Sequence, residues 1–490
     1  MRKKEFKVAD FGAVGDGVTN DGLAICKALS AALQEPDDIQ KEIIFEGEKT
    51  YRITEISAEN TQQYLFTIQN AKNIHLHGCG CKLLFQGAIR LIYLHRSENC
   101  SMDGFVIDYS PRPFILGTVI AVNRAEQYMD FETAEDVGLT DEPMKLQEWW
   151  FAFPNTAEKR YHYFMKEYQK LGDRRCRLVI HENTANRIDE VKIGDEFLLP
   201  LVGGSHFVGA ACTITDCNGF MFRNIRFYSH PEFGFDVRSN RGKMLFDGIA
   251  LKPRDDAPEQ LVSWRDGFHV KDNLDPIVWN NCYLGTIGDD AFNLSCVHLD
   301  VTKVEADQKT ICAYPAEKGS TRPLAVGDEF VAYDLETGRE IGLGRAAQVI
   351  DSDSDVEFVS DVSMPLLKKG MQISFYKFAN PGFVVKNSYI EGTVRVRSSG
   401  TFENCKFNVF WVRIENEFFV EGPIPRDVVF KNCEFTTPYE GDPEIFHVGT
   451  LGKNGLTNCE YKCTGIVLDN CRFTKGHYFA EEGNELIVRP

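Results

Sequence analysis

VVFKNCEF at Val428–Phe435 and IVLDNCRF at Ile466–Phe473 are two copies of one phrase: an alternating apolar run that ends in Asn-Cys and resumes as another alternating run. Six more copies precede them: NCSMDGFVI at 99–107, FMFRNIRF at 220–227, MLFDGIAL at 244–251, IVWNNCYL at 277–284, VVKNSYI at 384–390 and TFENCKF at 401–407. Period-two alternation marks a strand. Asn or Asp followed by a small residue marks a corner where the chain tolerates left-handed φ. Where nothing intervenes, the copies recur at one coil's length, 23 residues from Asn224 to Asp247. A strand-turn-strand unit with a period of ~20–30 residues predicts a solenoid. Here that means an all-β, right-handed parallel β-helix with three short strands per rung and about ten or more rungs.

The chain has 490 residues and 15 cysteines. An odd number of cysteines spread along the whole length fits a reduced compartment better than a disulfide framework. Six follow Asn directly (Cys100, Cys282, Cys405, Cys433, Cys459 and Cys471), and Cys217 follows Asp216. Repeated corner positions predict internal ladders of Asn and Cys with a structural role. Cys79 with Cys81, or Cys459 with Cys463, would be half of a metal site, but no His/Cys pair at ligand spacing completes either. No metal and no cofactor is expected.

Two stretches break the period and read as insertions, dividing the chain into 1–115, 116–202, 203–298, 299–376 and 377–490. KIGDEFL at 192–198 and AVGDEFV at 325–331 are alike, which predicts two related small β-barrels hung on the solenoid. Within the first insertion, EKRYHYFMKEYQKL at 158–171 has helical spacing. At the other end, DFGAVGDGVTNDGLAICKALSAAL at 10–33 reads as a glycine-rich turn followed by a helix capped by Asn20 and Asp21. This run resembles the opening of pectin-lyase-type β-helix proteins, in which the helix covers the first rung and keeps the open end from pairing.

Charge narrows the partners. With 72 Asp+Glu against 54 Lys+Arg the net charge is −18, and the basic residues are scattered, so nucleic acid is not expected. No stretch approaches the ~20 apolar residues of a membrane span, and no apolar core follows the basic Met1–Lys7, so neither membrane nor export is expected and the location would be cytoplasmic.

The chemistry is expected at an acidic constellation. Of three Asp-Asp doublets, Asp37-Asp38 and Asp255-Asp256 lie beside proline in polar loops, whereas Asp289-Asp290 sits in CYLGTIGDDAFNLSC between apolar strands, where an unpaired acidic pair is costly. One coil upstream is WRDGFHV at 264–270. Aligning Asp266-x-Phe268-His269-Val270 with Asp290-x-Phe292-Asn293-Leu294 gives an offset of 24 residues, one rung. This register stacks Asp266 on Asp290 and His269 on Asn293, with Gly267 and Gly288 letting the backbone bend so that the acids reach the outer groove, while Asp289 points elsewhere. Stacked carboxylates ~4.8 Å apart can share a water. Asp266 and Asp290 then serve as the base and Asp289 as the general acid of a glycosidic cleavage with inversion, given ~6.5–9.5 Å between acid and base. The bland alternative is a structural carboxylate ladder.

The segments IDYSPRPFILGTVIAV (107–122), RDGFHV (265–270), IGDDAFNLSCVHL (287–299), VRVRSSGTFENCKF (394–407) and VEGPIPRDVVFKNCEF (420–435) resemble, in order, the landmarks of glycoside hydrolase family 110. That resemblance implies an inverting exo-α-1,3-galactosidase built as a β-helix with β-barrel insertions, its acidic triad on Asp266, Asp289 and Asp290, and a substrate with a terminal α-linked galactose. The chain departs from the family at Ser295-Cys296 and at Phe418, Phe419 and Val420. His269, Asn293, Arg397, Arg395, Glu421 and Trp264 are expected to line the groove, with a solvated Arg/Glu ladder as the alternative for the arginines and Glu421. Trp411, Phe418, Phe419, Trp149 and Trp150 are further candidates for a sugar platform. A polygalacturonase of family 28 type is the other enzymatic reading, although the chain lacks that family's Gly-His-Gly loop and Arg-Ile-Lys segment. A non-catalytic glycan-binding β-helix is the third, and homo-oligomerisation stays open.

Overall fold

A computed structural model describes all residues except 1, 58–61, 136–138, 140, 147–149, 157–161, 201–208, 231, 259–260, 264, 316–322, 335–338, 352–355, 418–420 and 452–461. Short strands stack in parallel, rung upon rung, into a β-helix. The sheet that matters for the site begins at Tyr64–Gln69 and Arg90–His95 and continues through Cys212–Thr215, Phe235–Arg238, Phe268–Lys271 and Asp290–Val297. Tyr389–Val396, Lys406–Glu417, Glu444–Leu451 and His477–Ala480 complete it, giving ten strands among the described residues.

The corners follow from the side chains placed there. Asn99, Asn224, Asn281, Asn387, Asn404, Asn432 and Asn470 all have φ between 50° and 54°, the left-handed region that Asn tolerates through its short polar side chain. The expected internal ladder of Asn and Cys separates into two. The amides bond one another along the exposed outside, Asn470 Nδ2 to Asn432 Oδ1 at 2.8 Å and Asn432 Nδ2 to Asn404 Oδ1 at 3.2 Å. The thiols turn inward and donate to corner carbonyls, Cys405 Sγ to Glu403 O at 3.4 Å and Cys433 Sγ to Lys431 O at 3.4 Å. All cysteines among the described residues are free. A second ladder, fully buried, joins Asn240, Asn273 and Asn380.

Inside the coil the strands' inward residues stack like on like. Phe235, Phe268 and Phe292 form one aromatic column, with centroids 4.6 and 5.4 Å apart, and Phe407, Phe435 and Phe473 form another, at 4.7 and 4.6 Å. This is the burial that a single rung lacks. The helix Gly22–Leu33 closes the first rungs with Ala24, Ile25, Ala28, Leu29 and Ala32. Its start differs from the expectation in part: Asn20 Oδ1 accepts from Gly22 N at 3.2 Å, whereas Asp21 caps no helical N–H and instead accepts from Val14 N at 2.6 Å and Gly15 N at 3.1 Å, pinning the glycine turn. No helix among the described residues is long and apolar enough to cross a membrane.

Two antiparallel barrels interrupt the coil. In the first, Phe114–Asn123, Tyr128–Thr133, Arg175–Ile180, Tyr163–Gly172, Phe151–Pro154 and Glu196–Pro200 pair in sequence and close on Phe114–Asn123. The second closes through Leu299–Val304, Thr310–Pro315, Val356–Ser360, Arg339–Asp351, Glu329–Asp334 and Gln372–Phe375. The paired GDEF motifs make the same turn. Gly194 and Gly327 have φ of 93° and 95°, and Asp195 and Asp328 accept from Lys192 N and Ala325 N at 2.8 and 2.7 Å. The helical reading of 158–171 is overturned: 158–161 lie outside the described residues, and Tyr163–Gly172 is a strand with Tyr163, Met165 and Tyr168 buried. Apolar residues two and three apart satisfy helical spacing and, with a bulge, a barrel wall as well; the register with Arg175–Ile180 shifts twice.

Candidate active site

Rung spacing brings the acids together. Phe268 pairs with Phe292, His269 with Asn293 and Val270 with Leu294, the register read from the repeat. Glycines at both corners admit close neighbours. A Cβ on Gly267 would stand 2.7 Å from Ile287 Cδ1, and one on Gly288 would stand 2.7 Å from Phe153 Cζ. Beyond Asp290 the pairing with Tyr389–Val396 slips by a residue, a bulge that re-aims the Asp290 side chain. One oxygen from each of Asp266, Asp289 and Asp290 lies within 4.8 Å of the others. Asp289 therefore joins the cluster instead of pointing elsewhere. The nearest oxygens also stand closer than the ~6.5–9.5 Å expected of an acid and base acting across a bond, so spacing alone does not argue for inversion.

Each acid has its own surroundings. Asp266 is 2% exposed, and its Oδ2 lies 2.7 Å from His269 Nδ1. Burial first, and the Asp290 charge second, hold its carboxyl well above the usual range. Asp290 accepts from Thr393 Oγ1 at 2.6 Å and faces Arg395 Nε at 3.1 Å. Burial pushes its pKa up to about 6 against the pull of Arg395. Asp289 keeps 23% of its side chain exposed and faces Arg265 Nε at 3.4 Å. Its pKa also rises to about 6, through burial and then through Asp266. His269 is pushed down to about 3 by burial and then by Lys271, so it is neutral in ordinary buffers.

Beside the acids lies a second buried charge cluster. Glu421 takes Arg397 Nη1 at 2.6 Å, Lys271 Nζ at 3.1 Å and Asn293 Nδ2 at 3.3 Å. Burial opposes its charge, but Lys271 and Arg397 outweigh that and hold the carboxyl well below its usual range. Arg397 faces away from the helix core as the alternation requires, yet has no exposed surface, because Glu421–Gly422 pairs antiparallel with Cys296 and Val297. The solvated Arg/Glu ladder is therefore not what forms. Arg395 and Arg413 flank the half-buried Trp411, at 5.1 and 4.3 Å from its ring. Trp150 is only 7% exposed and belongs to the core, not to a sugar platform. Trp264, Trp149, Phe418 and Phe419 lie outside the described residues.

Sequence reading missed Thr393 and Lys271, which period two could have supplied, two positions from Arg395 and His269 on the same face. It also missed Arg265 as the partner of Asp289. Fold and site together define a parallel β-helix with three clustered carboxylates at one corner of its coil. No protein-family model matches the chain. Over 144 residues it is 26% identical to Alpha-1,3-galactosidase B of Phocaeicola vulgatus, a match covering 27% of this chain and 24% of that protein. Over 145 residues it is 25% identical to Alpha-1,3-galactosidase B of Bacteroides fragilis, again covering 27% and 24%. The match thus spans about a quarter of the length of these curated relatives.

Among solved structures the chain is similar to the family 28 exopolygalacturonase of Yersinia enterocolitica, with 12% identity, a TM-score of 0.37, and 100% of this chain and 78% of that one covered. It is similar also to PfbA, a surface adhesin of Streptococcus pneumoniae, with 11% identity, a TM-score of 0.35, and 99% and 81% covered. The β-helix rests on the strand register given above, not on these scores.

Proposed function

We propose that this chain is a glycoside hydrolase, an exo-acting α-galactosidase that removes a terminal α-1,3-linked galactose by a single displacement with inversion. The observation that carries the reading is the cluster of three carboxylates, two buried and one half-buried, with different surroundings. Three oxygens within 4.8 Å of one another leave a central point no farther than about 2.8 Å from each, the hydrogen-bond distance of one water. Asp266 and Asp290 cannot both ionise cheaply at this range, so the pair holds one proton and one negative charge, and orients and deprotonates that water. Arg395 and the Thr393 hydroxyl keep the charge on Asp290. Asp289, the most exposed of the three, reaches the leaving oxygen and carries a proton at mildly acid pH.

A neutral sugar fits better than a uronate. Each cation described around the cluster already faces a carboxylate: Arg265 faces Asp289, Arg395 faces Asp290, Lys271 and Arg397 face Glu421, and Arg413 faces Glu415. A substrate carboxylate would have to displace one of them. The similarity to two α-1,3-galactosidases supports galactose as the terminal sugar. The test is a panel of nitrophenyl glycosides and α-linked galactobiosides with product configuration followed by NMR. Release of β-galactose from an α-1,3 linkage is expected. Cleavage confined to galacturonides, a first product of retained configuration, or no hydrolysis at all would refute the proposal.

A further inference from the structure

The mechanism above draws every group from the β-helix, yet the first barrel reaches the same corner. Phe153 fills the space beside Gly288. The Arg265 guanidinium lies 5.2 Å from the Phe151 ring, while its Nε faces Asp289 at 3.4 Å. His162 stands just ahead of the strand Tyr163–Gly172 and packs on this edge, its ring centroid 4.7 Å from Phe151, 6.2 Å from Phe153 and 5.0 Å from Phe164. Among the described residues only its backbone carbonyl is bonded, by Arg187 Nη1 at 3.2 Å; the ring nitrogens take no hydrogen bond. Burial, and then the charges of Arg187, Arg265 and Arg395, push its pKa down to about 4. The ring is therefore neutral above that pH, with one donor and one acceptor. Arg265 and Arg395 are the two guanidiniums that face Asp289 and Asp290.

We infer that His162 is a specificity-determining residue that hydrogen-bonds a hydroxyl of the sugar on the leaving side of the scissile bond. The barrel edge lies on that side because it backs Arg265, and Arg265 places Asp289, the group that meets the leaving oxygen. The ring is half-buried against three phenylalanines and its two nitrogens bond no described residue, so a sugar hydroxyl entering the groove takes the place of water there. The inference rests on the glycosidase reading, and the experiment separates the two.

His162→Phe keeps the ring packing and removes both nitrogens, whereas His162→Gln keeps a donor and an acceptor. Where wild type cleaves both α-1,3-galactobiose and nitrophenyl α-galactoside, His162→Phe should raise KM about ten-fold for the disaccharide. It should leave kcat/KM for the nitrophenyl substrate within about two-fold, and His162→Gln should recover most of the loss. Equal losses on both substrates, no loss on either, or a loss that Gln does not recover would overturn the inference. If wild type cleaves neither, calorimetric titration with α-1,3-galactobiose decides. Binding weakened about ten-fold by His162→Phe supports the role of His162 even as the hydrolase reading fails. Equal affinity, or no binding, overturns it.

Discussion

Replacing Arg395 by Met should move the whole pH profile toward alkaline values. Arg395 Nε stands 3.1 Å from Asp290 Oδ2, and at an effective dielectric constant of ~20 that attraction is about 5 kcal/mol before the freed carboxylate regains any solvation. Opposite charges at this range ordinarily lower a carboxyl pKa by about 1 to 3. Asp290 starts near 6 with the arginine in place, so without it the base titrates at ~7 or above. Activity that needs the base ionised is lost as pH falls through that pKa, so the acid limb moves up. Arg395 also lowers Asp289, so the limb on which the general acid loses its proton moves up as well. At pH 6 the ionised fraction of Asp290 falls from about one half to under about one tenth, at least a five-fold loss of kcat/KM, regained near pH 7 to 8. The assay is kcat/KM for nitrophenyl α-galactoside between pH 4 and 9. Arg413→Met removes the same charge from the other side of Trp411, where the partner is Glu415 at 3.4 Å, and should leave both limbs in place. An Arg395→Met profile that stays put, or moves toward acid, would refute the assignment of Asp290 as the base.

Asp289→Asn should cost far less with a nitrophenyl leaving group than with galactobiose, whereas Asp266→Asn and Asp290→Asn should disable both; equal losses for Asp289→Asn would contradict its role as general acid. Glu421→Ala strands the fully buried Arg397 and Lys271 and should cost about 3–5 kcal/mol, seen as a lower melting temperature. Because the Glu421 carboxyl is held below its usual 4.5, the stability it lends is present above that pH and lost as pH falls below it. The gap in melting temperature between wild type and Glu421→Gln should therefore be wide at pH 6 and narrow toward pH 3, and a gap independent of pH would count against the ion cluster. Thiol titration of the denatured protein should find all 15 cysteines reduced; mostly oxidised sulfur would contradict the expectation of a reducing compartment.

The solenoid was legible in the sequence because its constraints are local and repeated. Alternation fixes which side chains enter the coil, and Asn with left-handed φ fixes each corner, so eight copies of one phrase define both the fold and the period. The same arithmetic places His269 over Asn293 and Asp266 on the rung of Asp290. It did not say where the side chains of the acids turn. Asp289 meets its neighbours because a bulge after Asp290 and the close packing at Gly288 bend the corner, and a one-residue slip in pairing leaves no local mark in sequence. Nor could period two tell an outward arginine from a buried one: Arg397 is covered because Glu421–Gly422, reached after a long excursion of chain, crosses over it. The charged segment at 158–171 carries spacing that serves helix and bulged strand alike, and only closure of the barrel decides between them. His162, brought to the acids across more than a hundred residues of sequence, belongs wholly to the tertiary structure, since no periodicity in its own segment refers to the coil it faces.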